Sequence, residues 1–126
     1  MTERIIRIAV VGAGETGAPL LEKLLAAPFV SLVGVADLDP DAPGMKIARS
    51  QGVTTTTNFM DLARMGEDVD VLIDVTGVAA VREQLRHHMQ DSGNTHTLIV
   101  HEVVVQLLLS LLAGKFVSLK HGELQY

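Results

Sequence analysis

Short aliphatic runs alternate with stretches of helical periodicity along the whole chain, and this alternation narrows the possible folds more than any other feature. Residues 5–11 are apolar apart from Arg7 and run into Gly12, which reads as a buried strand ending in a turn. Residues 30–36, 53–56, 71–75 and 97–100 read as further strands, the third of them broken by Asp74. Between them, residues 15–27 repeat Ala18, Leu21, Leu24 and Leu25 at helical spacing, and Pro19 inside this stretch should cost one backbone hydrogen bond. Asp39-Pro40-Asp41 signals a turn and a helix start, with Gly52 as the stop after Gln51. Residues 58–65 form a short helix closed by Gly66, and residues 78–90 place Val78, Val81, Leu85 and Met89 on one face. Residues 103–113 make a strongly apolar helix, and a last strand is expected over 116–119. Strand and helix in alternation, with connections of a few residues, predict an α/β doubly wound parallel sheet in three α/β/α layers. The 126 residues suit a single domain, 1–126.

Composition agrees with a sheet buried on both faces. The hydrophobic share is 48%, yet only Phe29, Phe59, Phe116 and Tyr126 are aromatic, so the core must be built from Val, Leu, Ile and Ala. A net charge of −5 with so few aromatic residues gives neither the basic stripe nor the stacking platforms of a nucleic-acid binder. The absence of cysteine excludes disulfides, a thiolate metal site and a cysteine nucleophile. The N-terminal residues lack the layout of a signal peptide, and the apolar stretch 103–114, interrupted by Gln106 and Ser110, is about half a membrane span. A soluble cytoplasmic protein, with no membrane or nucleic-acid partner, is the expectation.

The chemistry resides in Gly12-Ala13-Gly14-Glu15-Thr16-Gly17, a G-x-G-x-x-G turn that follows an apolar strand and opens an apolar-faced helix. Asp37 lies 20 residues after Gly17, at the end of the next strand. Gly12 allows the tight turn, Gly14 lets a pyrophosphate approach the backbone, and Gly17 permits close helix–sheet packing. The helix N-terminus offers N–H groups and a partial positive charge to phosphates. Asp37 can accept both hydroxyls of an adenosine ribose. It would repel a 2′-phosphate, and the residues that follow it (Leu38, Asp39, Pro40, Asp41) include no Arg or Lys. The cofactor expected of this Rossmann-type turn is therefore NAD(H) rather than NADP(H). Asp37 also disfavours CoA or a mononucleotide there.

Val10-Val11-Gly12-Ala13-Gly14 with Val33-Gly34-Val35-Ala36-Asp37 resembles the N-terminal half of the glucose–fructose oxidoreductase and inositol dehydrogenase family. Gly52-Val53-Thr54-Thr55-Thr56 with Asp74-Val75-Thr76 is similar to the NAD-binding half of acylating acetaldehyde dehydrogenases and semialdehyde dehydrogenases. The resemblance covers roughly residues 5 to 102. It implies an NAD(H)-binding Rossmann domain of an oxidoreductase, and it departs from both families at their reacting groups. Where the sugar dehydrogenases carry Glu-Lys-Pro, this chain reads Glu102-Val103-Val104, and the cysteine nucleophile of the acylating enzymes has no counterpart. Both families add a second α/β domain that holds substrate, so the chain is either a fragment of a longer protein or limited to binding the cofactor.

Other residues admit two readings. Asp74, in a strand that should be buried, either faces the ligand crevice or bonds the backbone N–H groups of a neighbouring loop. Thr76 and Gly77 form the turn that lines the cofactor ribose in such folds. His87 and His88 read as surface residues late in a helix. His101 and Glu102 follow the fifth strand near the expected nicotinamide, but adjacent residues on an extended strand point to opposite faces, so no catalytic residue is assigned. No grouping has metal-ligand spacing. The helix over 103–113 is apolar nearly all round and needs cover on both sides, one from the sheet and the other from a second subunit or a second domain. Two functional readings follow. One is the NAD(H)-binding domain of an oxidoreductase-family protein, with hydride transfer completed by residues outside this chain. The alternative is an NAD(H)-sensing regulatory module without catalysis.

Overall fold

The computed structural model describes residues 4–14 and 17–118. Its five strands are all parallel: β1 (Ile6–Val11), β2 (Val30–Ala36), β3 (Thr55–Thr56), β4 (Val71–Asp74) and β5 (Leu98–His101), in the order β3-β2-β1-β4-β5. The helices are α1 (Gly17–Ala26), α2 (Pro43–Ser50), α3 (Met60–Ala63), α4 (Ala79–Ser92) and α5 (Glu102–Ala113), with a 3₁₀ turn at Gly66–Asp68. The chain winds outward from β1 to β3, then crosses back to place β4 on the other side of β1. That reversal is the topological switch point of a doubly wound sheet.

Alternation along β1 builds two cores. Ile8 and Val10 face α1, α2 and α5 through Leu20, Leu21, Met45, Val105 and Leu109. Ala9 and Val11 face α3 and α4 through Leu62, Ala63, Val81 and Leu85. The three-layer expectation holds, and the core is aliphatic because strands covered on both sides leave no polar face. The pairing of β1 with β2 slips by one residue, Ile8 opposite Leu32 but Ala9 opposite Gly34. Gly34 then lets α3 close on the sheet, since a Cβ there would meet Leu62 Cδ2 at 2.5 Å.

Three expectations change at element ends. Pro19 falls in the first turn of α1, where its missing N–H costs no helical bond. The second helix starts at Pro43, because Asp39 first closes a turn: its side chain accepts Asp41 N–H at 2.9 Å and its carbonyl accepts Ala42 N–H at 3.1 Å. Residues 116–118 are not a strand; instead they fold back along α5. Val117 N–H donates to Ser110 Oγ at 2.9 Å, and Gln106 Nε2 donates to the Val117 carbonyl at 3.0 Å, which seats Val117 on the α1/α2/α5 core. Leu119 lies outside the described residues.

Candidate functional site

Strand register assembles the site. Ala36, Val11, Asp74 and His101 stand in one row across β2, β1, β4 and β5, at the carboxyl ends of the strands. The next residues, Gly12 and Asp37, carry the chain out of the sheet side by side. In an open α/β sheet ligands bind at this end, next to the switch point.

The turn after β1 is shaped by close contacts. Gly12 has φ +105°, and a Cβ on it would lie 2.8 Å from Val75 Cγ2. A Cβ on Gly17 would overlap the Gly12 carbonyl oxygen, so α1 starts against the backbone of the turn. Gly12 and Gly17 therefore serve the tight turn and the close packing of the helix that their spacing implied. The Ala13 carbonyl accepts Gly44 N–H at 2.6 Å, and a Cβ on Gly44 would meet that oxygen at the same distance. Gly44 thus docks α2 on the turn, a role that no spacing rule signals. Gly14 is half-buried; Glu15 and Thr16 lie outside the described residues.

Asp37 is only 1% exposed. Its Oδ2 accepts Ala13 N–H at 2.8 Å and its Oδ1 accepts Asp39 N–H at 3.0 Å. The carboxylate braces the glycine turn from the next strand with a charge-assisted bond, in addition to standing where a ribose acceptor was expected. Exposed Asp39 and Asp41 lie just beyond it.

On the other side of the switch point Asp74 is buried. Its Oδ1 accepts Thr76 N–H at 2.9 Å and the Thr76 hydroxyl at 2.7 Å, while its Oδ2 lies 3.3 Å from His101 Nδ1. Thr76 Oγ1 in turn accepts Val78 N–H at 3.2 Å, and Gly77 turns the chain at φ +68°. Asp74 is thus the loop-bonded aspartate of one reading and also holds a histidine. The pairing is invisible in the linear sequence, but the runs Val71-Leu72-Ile73-Asp74 and Leu98-Ile99-Val100-His101 end in the same register, which is its signal. His101 closes β5 and Glu102 opens α5, so strand alternation stops between them. Val103, at the position of the sugar dehydrogenases' lysine, lies exposed on α5. His87 is on the surface and His88 half-buried. Among the described residues no group of three or more His, Asp or Glu could hold a metal ion, and no helix is long and apolar enough to cross a membrane.

The chain is 35% identical over 83 residues to acetaldehyde dehydrogenase 2 of Salinispora arenicola, covering 65% of this chain and 27% of the relative. It is 31% identical over 98 residues to acetaldehyde dehydrogenase of Roseiflexus castenholzii, covering 75% and 31%. No family model matches. Among solved structures, GenD2 from gentamicin A biosynthesis, in complex with NAD, superposes with a TM-score of 0.59 at 27% identity, over 76% of this chain and 26% of that one. Myo-inositol 2-dehydrogenase from Lactobacillus plantarum gives 0.59 at 21% identity, over 76% and 28%. The chain has the NAD-binding Rossmann-type fold. The acetaldehyde dehydrogenase half of the sequence resemblance reappears among the relatives, and the inositol dehydrogenase structure shares the fold. The chain spans 27% to 31% of the length of these two dehydrogenase relatives in sequence.

Proposed function

We propose that this chain binds NAD(H) at the carboxyl end of its sheet, as the cofactor domain of an oxidoreductase. The observation that carries the reading is the row in which the glycine turn, Asp37 and the Thr76–Gly77 turn leave neighbouring strands together. The pyrophosphate would sit at the Gly12–Gly17 motif, next to Gly14 and against the N-terminus of α1 at Gly17, with Glu15 and Thr16 of the motif as further proposed contacts. Ala13 ties that turn to Asp37, and Thr76–Gly77 borders the second ribose. When bound, the cofactor supplies hydride acceptance or donation. The ribose hydroxyls would take the place of Asp39 N–H on Asp37 Oδ1, and the exposed carboxylates of Asp39 and Asp41 would repel a 2′-phosphate. The relatives are dehydrogenases by name, which supports an oxidoreductase over a sensing module. Hydride transfer would need further residues from outside this chain, which carries neither the lysine nor the cysteine that the sequence resemblance implies for the reacting groups.

Fluorescence titration with NADH is the direct test. Asp37→Ala should weaken NADH binding about ten- to a hundredfold, equivalent to about 1.5–3 kcal/mol of charge-assisted hydrogen bonding. Wild-type binding of NADPH as tight as that of NADH would refute the assignment of Asp37. The outer face of α5 we assign to a second copy of the chain, through which the protein forms a homodimer.

A further inference from the structure

We propose that Asp74 and His101 form a dyad that presents a basic ring nitrogen, His101 Nε2, to the nicotinamide end of the site, where it exchanges a proton with an alcohol or carbonyl substrate. The inference rests on the cofactor reading above and goes beyond it by naming the proton acceptor.

The geometry begins at Asp74. A buried carboxylate needs donors on both oxygens. Thr76 serves Oδ1 twice, through its N–H and its hydroxyl, and Oδ2 faces His101 Nδ1 at 3.3 Å. A neutral imidazole meets that need only by carrying its proton on Nδ1, which leaves the lone pair on Nε2. The Thr76 bonds keep Asp74 from turning away, so the tautomer is held by the fold. The imidazole keeps 30% of its side-chain surface exposed, against 3% for its partner, so the ring is accessible while the carboxylate is not. Asp74 pairs with Val11 in register, one residue before Gly12, which puts the dyad beside the glycine turn and on the far side of it from Asp37. With an adenosine ribose at Asp37, on the β2 side of the glycine turn, a nicotinamide would lie on the opposite side, that of β4 and β5.

The proton balance is simple. When bound, the cofactor would take up the hydride of an alcohol's carbinol C–H bond; the O–H proton would go to His101 Nε2, leaving a carbonyl and an imidazolium. Reduction runs the same transfers backward. His101 handles the proton, and Asp74 is a positioning residue that acts through it.

The test uses the full chain with ¹⁵N-labelled histidine. At pH 8 the His101 resonances should report a proton on Nδ1, and Asp74→Asn, which can offer its own N–H to the ring, should move the tautomer toward Nε2–H. Carbethoxylation of His101 by diethyl pyrocarbonate, followed by peptide mass analysis, should slow at least tenfold with saturating NADH. Saturating ADP-ribose, which lacks the nicotinamide, should leave the rate unchanged. His101→Gln should bind NADH within about twofold of wild type. An Nε2–H tautomer in the wild type, or equal protection by ADP-ribose, overturns the dyad's role. So does unchanged reactivity with NADH bound, or loss of NADH binding in His101→Gln. Failure of the wild type to bind NADH in the fluorescence titration removes the cofactor reading first, and the dyad's role with it.

Discussion

A methyl group added at Gly17 would overlap the carbonyl oxygen of Gly12, whereas one added at Gly52 would meet nothing within 4 Å. The two glycines therefore separate packing from backbone strain. Gly17→Ala must push α1 off the turn and should cost about 3 kcal/mol, at the upper end of overpacking penalties. Gly52→Ala meets only its φ of +74° and should cost about 1 kcal/mol. Chemical denaturation of the two variants checks the order, and equal costs would show that α1 has room to shift. The Gly17 role was legible in the sequence because the G-x-G-x-x-G spacing encodes a backbone contact. That of Asp37 was legible only in part: its place after β2 follows from the pattern, but its bonds to Ala13 and Asp39 N–H depend on how two loops meet. The Asp74–His101 pair was less legible still. Each residue stood out alone, and only strand register joins them.

At the scale of elements, the amino end of the sheet is held by polar contacts that aliphatic periodicity does not reveal. Arg7, the one charged residue within β1, donates to Asp70 from its backbone N–H at 2.8 Å, from Nε at 3.2 Å and from Nη2 at 2.9 Å. His96 Nε2 lies 2.7 Å from Asp70 Oδ1, the oxygen that Arg7 Nη2 also bonds, so one carboxylate ties β1 to the segments before β4 and β5. The Arg7 guanidinium, its backbone N–H and His96 hold the Asp70 carboxyl well below the ordinary carboxylate range. A carboxylate depressed in the folded state contributes its full stabilisation above its unfolded value of about 4, and loses it as pH falls from there toward the folded value. Asp70→Asn should therefore lower the urea midpoint at pH 7, and the gap to wild type should narrow steadily below about pH 4. A gap that stays constant from pH 7 to pH 3 would mean that the ionised carboxylate is not what stabilises this end. The same blindness of periodicity explains residues 116–118. Read as a strand, they are in fact gripped by Gln106 and Ser110, one turn apart on α5, which in the sequence appeared only as interruptions of an apolar run.

For the molecule as a whole, α5 decides the outer surface. Val105 and Leu109 are buried against the sheet, and Val117 covers the neighbouring side. Leu107, Leu108, Leu111 and Leu112 remain more than half exposed, with Val103 71% and Phe116 74% exposed beside them. Aliphatic side chains at this spacing form a continuous stripe of several hundred Å², more than soluble monomers usually leave open. A two-fold partner would present the same stripe back to it, and isologous pairing is the commonest way a chain covers such a face. Each side chain so covered contributes about 1.5–3 kcal/mol before association costs are subtracted. Leu108 and Leu112 lie one turn apart on the outer face, so Leu108→Glu with Leu112→Glu leaves the sheet-facing core untouched. Sedimentation velocity at about 100 μM should give a dimer for the wild type and a monomer for the double variant, with the same circular dichroism. A wild-type monomer at that concentration would mean that something other than a second copy covers α5. An unfolded double variant would mean that α5 is seated the other way round, with Leu108 and Leu112 toward the sheet.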